Sequence, residues 1–390
     1  MEKEVNIKKQ VSEELSEAQA FAKAIDIKDV KSGLWFISLL TKVAKTYDQN
    51  VRAEYFQKKH PGLTPDEIAD KLIGVTVKYA TIAGGIAGLS VTASEIAAFG
   101  SAGATTAIMI TSIGGEMIYL ARIQMRLVLD ISVLYDLQLD PNDPEDILMV
   151  YGYALGVAPT DLIAKGLQKA AATSTQQVIK KHISKGTLKA VQEFGKRIGL
   201  KILQRTIIKY AVPIVSVAVG GAYNFIATKT IGQISKAHFK NRGKVTDELR
   251  ALISRKNKYH IVFPAAVLFM AQADGKIVAK EKEFYKAVLS RLSLDDYEQE
   301  DFQKLLSSHE NIIEAILEIE EISMRENLVK VMALMAVYDG ELASEERELL
   351  INVAGKLNFT LDIAAVEAQT QEYRIIIKEN VFKKIFRRNS

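Results

Sequence analysis

Apolar side chains recur at steps of three and four residues along almost the whole chain, and no stretch alternates polar with β-branched residues for long enough to demand a strand. That periodicity restricts the 390 residues to helices packed on helices, an all-α fold. It starts at once: Ile7, Val11, Leu15, Ala18, Ala22 and Ile25 trace one face of an amphipathic helix among charged neighbours. Trp35–Tyr47 reads as the next helix, and His60-Pro61-Gly62 punctuates the chain after it. Thr64-Pro65-Asp66-Glu67 then predicts a helix start, with Thr64 as N-cap, Pro65 in the first turn and Glu67 at the capping-box position. A hydrophobic content of 48% supplies core for two or three domains. The absence of cysteine excludes disulfides, thiol nucleophiles, cysteine-zinc sites and iron–sulfur ligation. With a charged start, Met1 to Lys9, that lacks a signal-peptide apolar core, it leads to a cytoplasmic expectation.

Two stretches are nearly free of charge. Tyr79–Gly115 holds only Glu95 in 37 residues, and Tyr210–Thr228 is uncharged for nineteen between Lys209 and Lys229. Their length matches a membrane span, but Gly, Ala, Ser and Thr dominate the first, while Pro213, Asn224 and paired glycines interrupt the second. Small residues four apart, Gly84/Gly88, Gly100/Ala104 and Gly152/Gly156, allow close helix approach. A buried hairpin in a helical core is therefore expected, and a hairpin lying against or entering a bilayer is the functional alternative.

Charge is distributed unevenly beneath a net of +4. Residues 1–159 carry 15 Lys and Arg against 20 Asp and Glu, residues 160–260 carry 20 against 4, and residues 261–380 carry 12 against 23. The basic middle fits either packing against its acidic neighbours or an anionic partner.

The polar positions within the first two thirds resemble the EcsC family of bacterial proteins. The likeness rests on the helix Ala121–Ile131 with Arg122, Gln124, Arg126 and Asp130, and on Tyr135 with the turn Asp140-Pro141-Asn142-Asp143-Pro144-Glu145. It extends to Val212-Pro213-Ile214-Val215 leading into Gly220-Gly221-Ala222-Tyr223-Asn224-Phe225 and Thr228. The resemblance covers about residues 45–245 and implies an all-helical bacterial protein, associated by name with an ABC exporter operon and without an established activity. Arg122, Arg126, Asp130, Tyr135, Asn224 and Thr228 are the positions it would carry into a functional surface. The residues alone offer a plainer account: Arg126 and Asp130, four apart, pair on one face, and Asn224 or Thr228 bridge helices.

The last third contains an internal repeat. Ala271-Gln272-Ala273-Asp274-Gly275-Lys276-Ile277-Val278-Ala279-Lys280-Glu281 recurs 65 residues later as Ala336-Val337-Tyr338-Asp339-Gly340-Glu341-Leu342-Ala343-Ser344-Glu345-Glu346. Each copy follows an apolar helix, Val262–Ala271 or Leu328–Val337. Over residues 255–360 this resembles the TerB-like domain named for tellurite resistance, which implies a helical bundle with a pseudo-repeat and a stress response. Locally, Gly275 and Gly340 are expected to end a helix in a left-handed turn, Ile277 and Leu342 to plug the core, and Glu281 and Glu346 to start the next helix. An ordinary calcium loop is not expected, because Met270 and Gln272, and Met335 and Val337, occupy the positions that need carboxylates. Asp274, Glu281, Asp339 and Glu346 could still pool into one divalent-metal site if the two copies meet; no other cofactor is expected.

Beyond lies a basic amphipathic segment whose Phe382, Lys383, Lys384, Phe386, Arg387 and Arg388 suit an anionic membrane. The expected layout is an N-terminal helical arm (1–44), an EcsC-like domain (45–250), a TerB-like domain (255–360) and a C-terminal basic helix (361–390). With no Walker loop, dinucleotide fingerprint, nucleophile elbow or zinc helix, a non-enzyme is expected. The leading expectation is an adaptor or regulator peripheral to the inner membrane, partnered by lipid, a membrane protein or another protein. The alternatives are a metal-responsive stress protein and nucleic-acid binding by residues 160–260, where aromatics for stacking are few.

Overall fold

The computed structural model describes residues 2–48, 50–90, 112–137, 139, 145–157, 176–211, 217–253, 259–275, 277–289 and 296–374. Among them are sixteen helices and no strand, so the chain is all-α. The turn at Asp140–Pro144, Gly100/Ala104, Val212–Val215 and the segment with Phe382, Lys383, Lys384, Phe386, Arg387 and Arg388 lie outside the described residues.

Helices α1 (Glu2–Lys23), α2 (Ile27–Ser32), α3 (Leu34–Thr46), α4 (Ala53–Lys59), α5 (Pro65–Ser90), α6 (Ser112–Leu134) and α7 (Glu145–Leu155) belong to a first compact unit. It also takes α8 (Gln176–Ala211) from Val191 onward and α9 (Val217–Leu252) as far as Lys240. The segment read as an arm is part of this unit, since α1 packs along α6 and α5. The expected helix start is in place: Glu67 Oε2 accepts from the Thr64 N–H at 2.9 Å and from its hydroxyl at 2.8 Å, while Thr64 Oγ1 accepts from the Glu67 N–H at 3.3 Å. Those donors hold the Glu67 carboxyl below its usual range. Helix α6 lies at the centre, with Ile113, Met117, Ile118, Tyr119, Met125 and Val128 all buried.

Small residues act where the notion of close approach requires them. A Cβ on Gly84 would lie 2.5 Å from Asn224 Nδ2 and 2.6 Å from the Gly220 carbonyl, and one on Gly220 would lie 2.8 Å from the Gly84 carbonyl. Thus α5 and α9 touch backbone to backbone, as only glycine permits.

The second unit holds the start of α8, α9 from Asn241, and α10 (Val262–Ala271), α11 (Ala279–Leu289), α12 (Asp296–Leu305), α13 (His309–Leu317), α14 (Ile322–Val337), α15 (Ser344–Lys356) and α16 (Ile363–Tyr373). Every residue of α10 is buried, the mark of a helix surrounded by others. It packs on α14, whose Leu328–Val337 half is the second copy of the repeated apolar helix, and on α11, α12, α13 and α15. Both copies then turn on a glycine of positive φ, +76° at Gly275 and +95° at Gly340. Ile277 is buried and Leu342 half-buried against the core. Residues 363–373, expected in a separate tail, form α16, which packs on α14 and buries Tyr373.

Two substitutions in α5 test the backbone contact. Gly84→Ala is expected to cost about 2–3 kcal/mol in denaturant unfolding, because backbone and a buried amide block the added methyl. Gly74→Ala, where nothing lies within 4 Å, is expected to gain up to ~1 kcal/mol.

Candidate functional site

In the first unit a polar cluster is buried among the charge-poor helices. Glu116 of α6 is 1% exposed and receives three donors. Lys209 Nζ of α8 lies 2.6 Å from Oε1, Asn224 Nδ2 of α9 lies 2.6 Å from the same oxygen, and the Tyr210 hydroxyl donates to Oε2. Asn224 also donates to the Ala80 carbonyl of α5 at 3.0 Å and accepts from Lys209 Nζ at 3.1 Å. Four helices are thereby tied by groups whose hydrogen bonds are internally satisfied, which a buried ion pair requires.

The cluster lies close to four helix ends. Ser90 is six residues beyond Gly84, Ser112 four before Glu116, Ala211 two beyond Lys209 and Val217 three before Gly220. At 1.5 Å per residue, each end is within about 9 Å of it along its axis. The two charge-poor stretches therefore leave the described helices at the same end of this unit.

Apart from Arg126, the family-motif positions are spread as clasps between helices. Arg122 pairs with Glu14 at 3.2 Å and Glu17 at 3.5 Å on α1. Gln124 donates to Thr228 at 2.9 Å, joining α6 to α9. Tyr135 donates to Asp66 at 2.7 Å, and Asp66 also accepts from Lys240 at 2.5 Å. Asp130 accepts from the Tyr47 hydroxyl at 2.8 Å, whereas Arg126 is exposed and acts on it only at a distance. Burial raises the Asp130 carboxyl to about 6. Asn224 alone of the six belongs to the buried cluster.

Part of the basic surplus is paired with acids inside each unit. Lys236 bonds Asp70 at 2.8 Å, Lys240 bonds Asp66, and Lys209 bonds Glu116. In the second unit Arg242 meets Glu283 at 3.4 Å, and Lys244 pairs with Glu372.

The two copies of the repeat meet at Glu281 and Glu346, each 5% exposed. Glu281 Oε2 accepts from the Val278 N–H at 2.6 Å at the start of α11, and Glu346 Oε2 accepts from the Ala343 N–H at 2.9 Å at the start of α15. The two carboxyls are close enough to hydrogen-bond to one another when one of them carries a proton. Burial raises both above the usual carboxylate range, Glu281 further, and the charges of Asp339 and Asp274 push the same way. Asp339 itself binds the Glu341 N–H at 2.8 Å, and Asp274 is exposed. All four predicted carboxylates are thus within electrostatic reach, yet no three acids or histidines among the described residues are close enough to hold a metal.

Two features escaped the sequence reading. Lys280, the buried residue before Glu281, donates to the Tyr373, Asp339 and Tyr338 carbonyls at 2.9, 3.2 and 3.4 Å, and burial lowers its pKa. Its signal was the exchange of Lys280 for Glu345 at an otherwise matched repeat position. Glu116 and Lys209 were legible only as the charges that border the two charge-poor stretches.

No family model, curated protein or solved structure matches the chain. Among the described residues no helix is long and apolar enough to cross a membrane.

The raised Glu281 carboxyl makes a signed prediction. A carboxyl raised on folding stabilises most fully at acid pH, and that contribution is lost as pH rises through the folded value. Glu281→Gln keeps an acceptor for Val278 and offers Glu346 a permanent donor. It is expected to be more stable than wild type by about 1 kcal/mol near pH 8, with the gap closing toward pH ~5, in paired thermal melts.

Proposed function

We propose that this protein is a non-enzymatic adaptor or regulator that docks at the cytoplasmic face of a bacterial membrane through its first unit and presents the second as a sensing or recruiting module. The convergence of four helix ends carries this reading. The helix ends at Ser90, Ser112, Ala211 and Val217 lie near one cluster, and in sequence residues 91–111 contain one charge, Glu95, and 212–216 contain none. The EcsC-like and TerB-like resemblances support the same division of labour, and the family-motif positions other than Arg126 serve in it as struts rather than as reacting groups. Neutralisation of Lys209, Lys236 and Lys240 by Glu116, Asp70 and Asp66 weighs against nucleic-acid binding through this region.

A second reading, a divalent-metal-responsive module, draws on the meeting of Glu281 and Glu346, because a cation could replace a proton there. In the melts above, calcium, magnesium or manganese would then stabilise wild type and not Glu281→Gln.

Cell fractionation tests the leading reading. The expected result is recovery with membranes and release by high salt or carbonate, as for a protein held at the surface. Complete recovery away from membranes at low salt would overturn it.

A further inference from the structure

We infer that the outer face of the α5–α9 seam is a docking surface for anionic phospholipid headgroups, with Lys78 and Lys229 as its cationic contacts and Val75 and Phe225 as its apolar ones. The inference rests on the membrane-docking reading and specifies where and how contact is made, using described residues only.

The two helices run antiparallel, with Gly84 against Gly220, Thr81 against Gly221 and Ile73 against Gly232. Their solvent side is marked by exposed Asp70 and Gln233, which hydrogen-bond across the seam at 3.5 Å. Steps of four from Asp70 reach Gly74 and Lys78, and steps of four back from Gln233 reach Lys229 and Phe225; all are exposed. Val75 is 58% and Phe225 41% exposed, high values for such side chains. Lys229 Nζ lies 5.5 Å from the Phe225 ring centre, so cation and aromatic form one contact.

The seam is also free of acid on this side. No Asp or Glu occurs from Lys71 to Ser90 or from Val217 to Thr246, and Asp70, at its border, is taken by Lys236 at 2.8 Å. Lys78 and Lys229 form no ion pair among the described residues. Exposed apolar groups beside unpaired lysines, with acids excluded, match the headgroup region of an anionic bilayer. A nucleic acid would use the lysines but leave Val75 and Phe225 without a role.

The test is flotation of the full chain with vesicles of phosphatidylcholine alone and of phosphatidylcholine mixed with phosphatidylglycerol. Wild type is expected to float with the mixed vesicles at low salt and to be released by added salt. Lys78→Gln with Lys229→Gln should weaken that binding by roughly tenfold or more, at about 1 kcal/mol per surface lysine. Phe225→Ser should weaken it without changing its salt dependence. These side chains are exposed, and circular dichroism melts matching wild type confirm folding. Variants that float as well as wild type would overturn this face while leaving membrane docking intact, as would equal binding to neutral vesicles. Wild type that floats with neither composition would overturn both. Retention of a DNA duplex or single strand by wild type, with no vesicle binding, would reassign the lysines to nucleic acid and overturn the inference.

Discussion

The backbone contact between Gly84 and Gly220 and the buried cluster beside it are one constraint, and the first unit is arranged around it. Removing Glu116 and Lys209 from water costs several kcal/mol per ion, which the pair alone does not reliably repay. Asn224 and Tyr210 complete the hydrogen bonding, and Asn224 reaches the Ala80 carbonyl only because neither glycine carries a side chain. The result is a specific register among α5, α6, α8 and α9, helices whose apolar surfaces would otherwise discriminate poorly between alternative packings.

The second unit uses carboxyls differently. Glu281 and Glu346 each accept the backbone N–H that opens a helix, which explains their place in the repeat without any ligand. Their meeting is what local capping does not require. Two acids buried so close disfavour each other's charge, which couples the join between the copies to pH, while the neighbouring Lys280 ties the turn at Asp339 to the end of α16 at Tyr373.

Short-range features were readable because their partners are near in sequence. The Thr64–Glu67 box, the positive φ of Gly275 and Gly340, and the helical starts at Glu281 and Glu346 all follow from residues within a turn of one another. Partners chosen by tertiary packing were not. Asp130 has Arg126 four residues away but bonds Tyr47, 83 residues distant. Lys209 reads as the border of an apolar stretch, and nothing local names Glu116, 93 residues away, as its counter-ion. The basic surplus of the middle region likewise gained its meaning from Asp66, Asp70, Glu283 and Glu372. The meeting of the two Asp-Gly copies was foreseeable from the repeat; that both glutamates are raised there depended on burial, which the repeat does not encode.

The most direct test of this account is a double-mutant cycle on unfolding free energy with Glu116→Gln, Lys209→Met and both together. If the cluster sets the register of the first unit, each single change leaves a buried charge without its counterpart, and the coupling between the two positions should reach about 2–3 kcal/mol. Single costs that simply add, with no coupling, would contradict it.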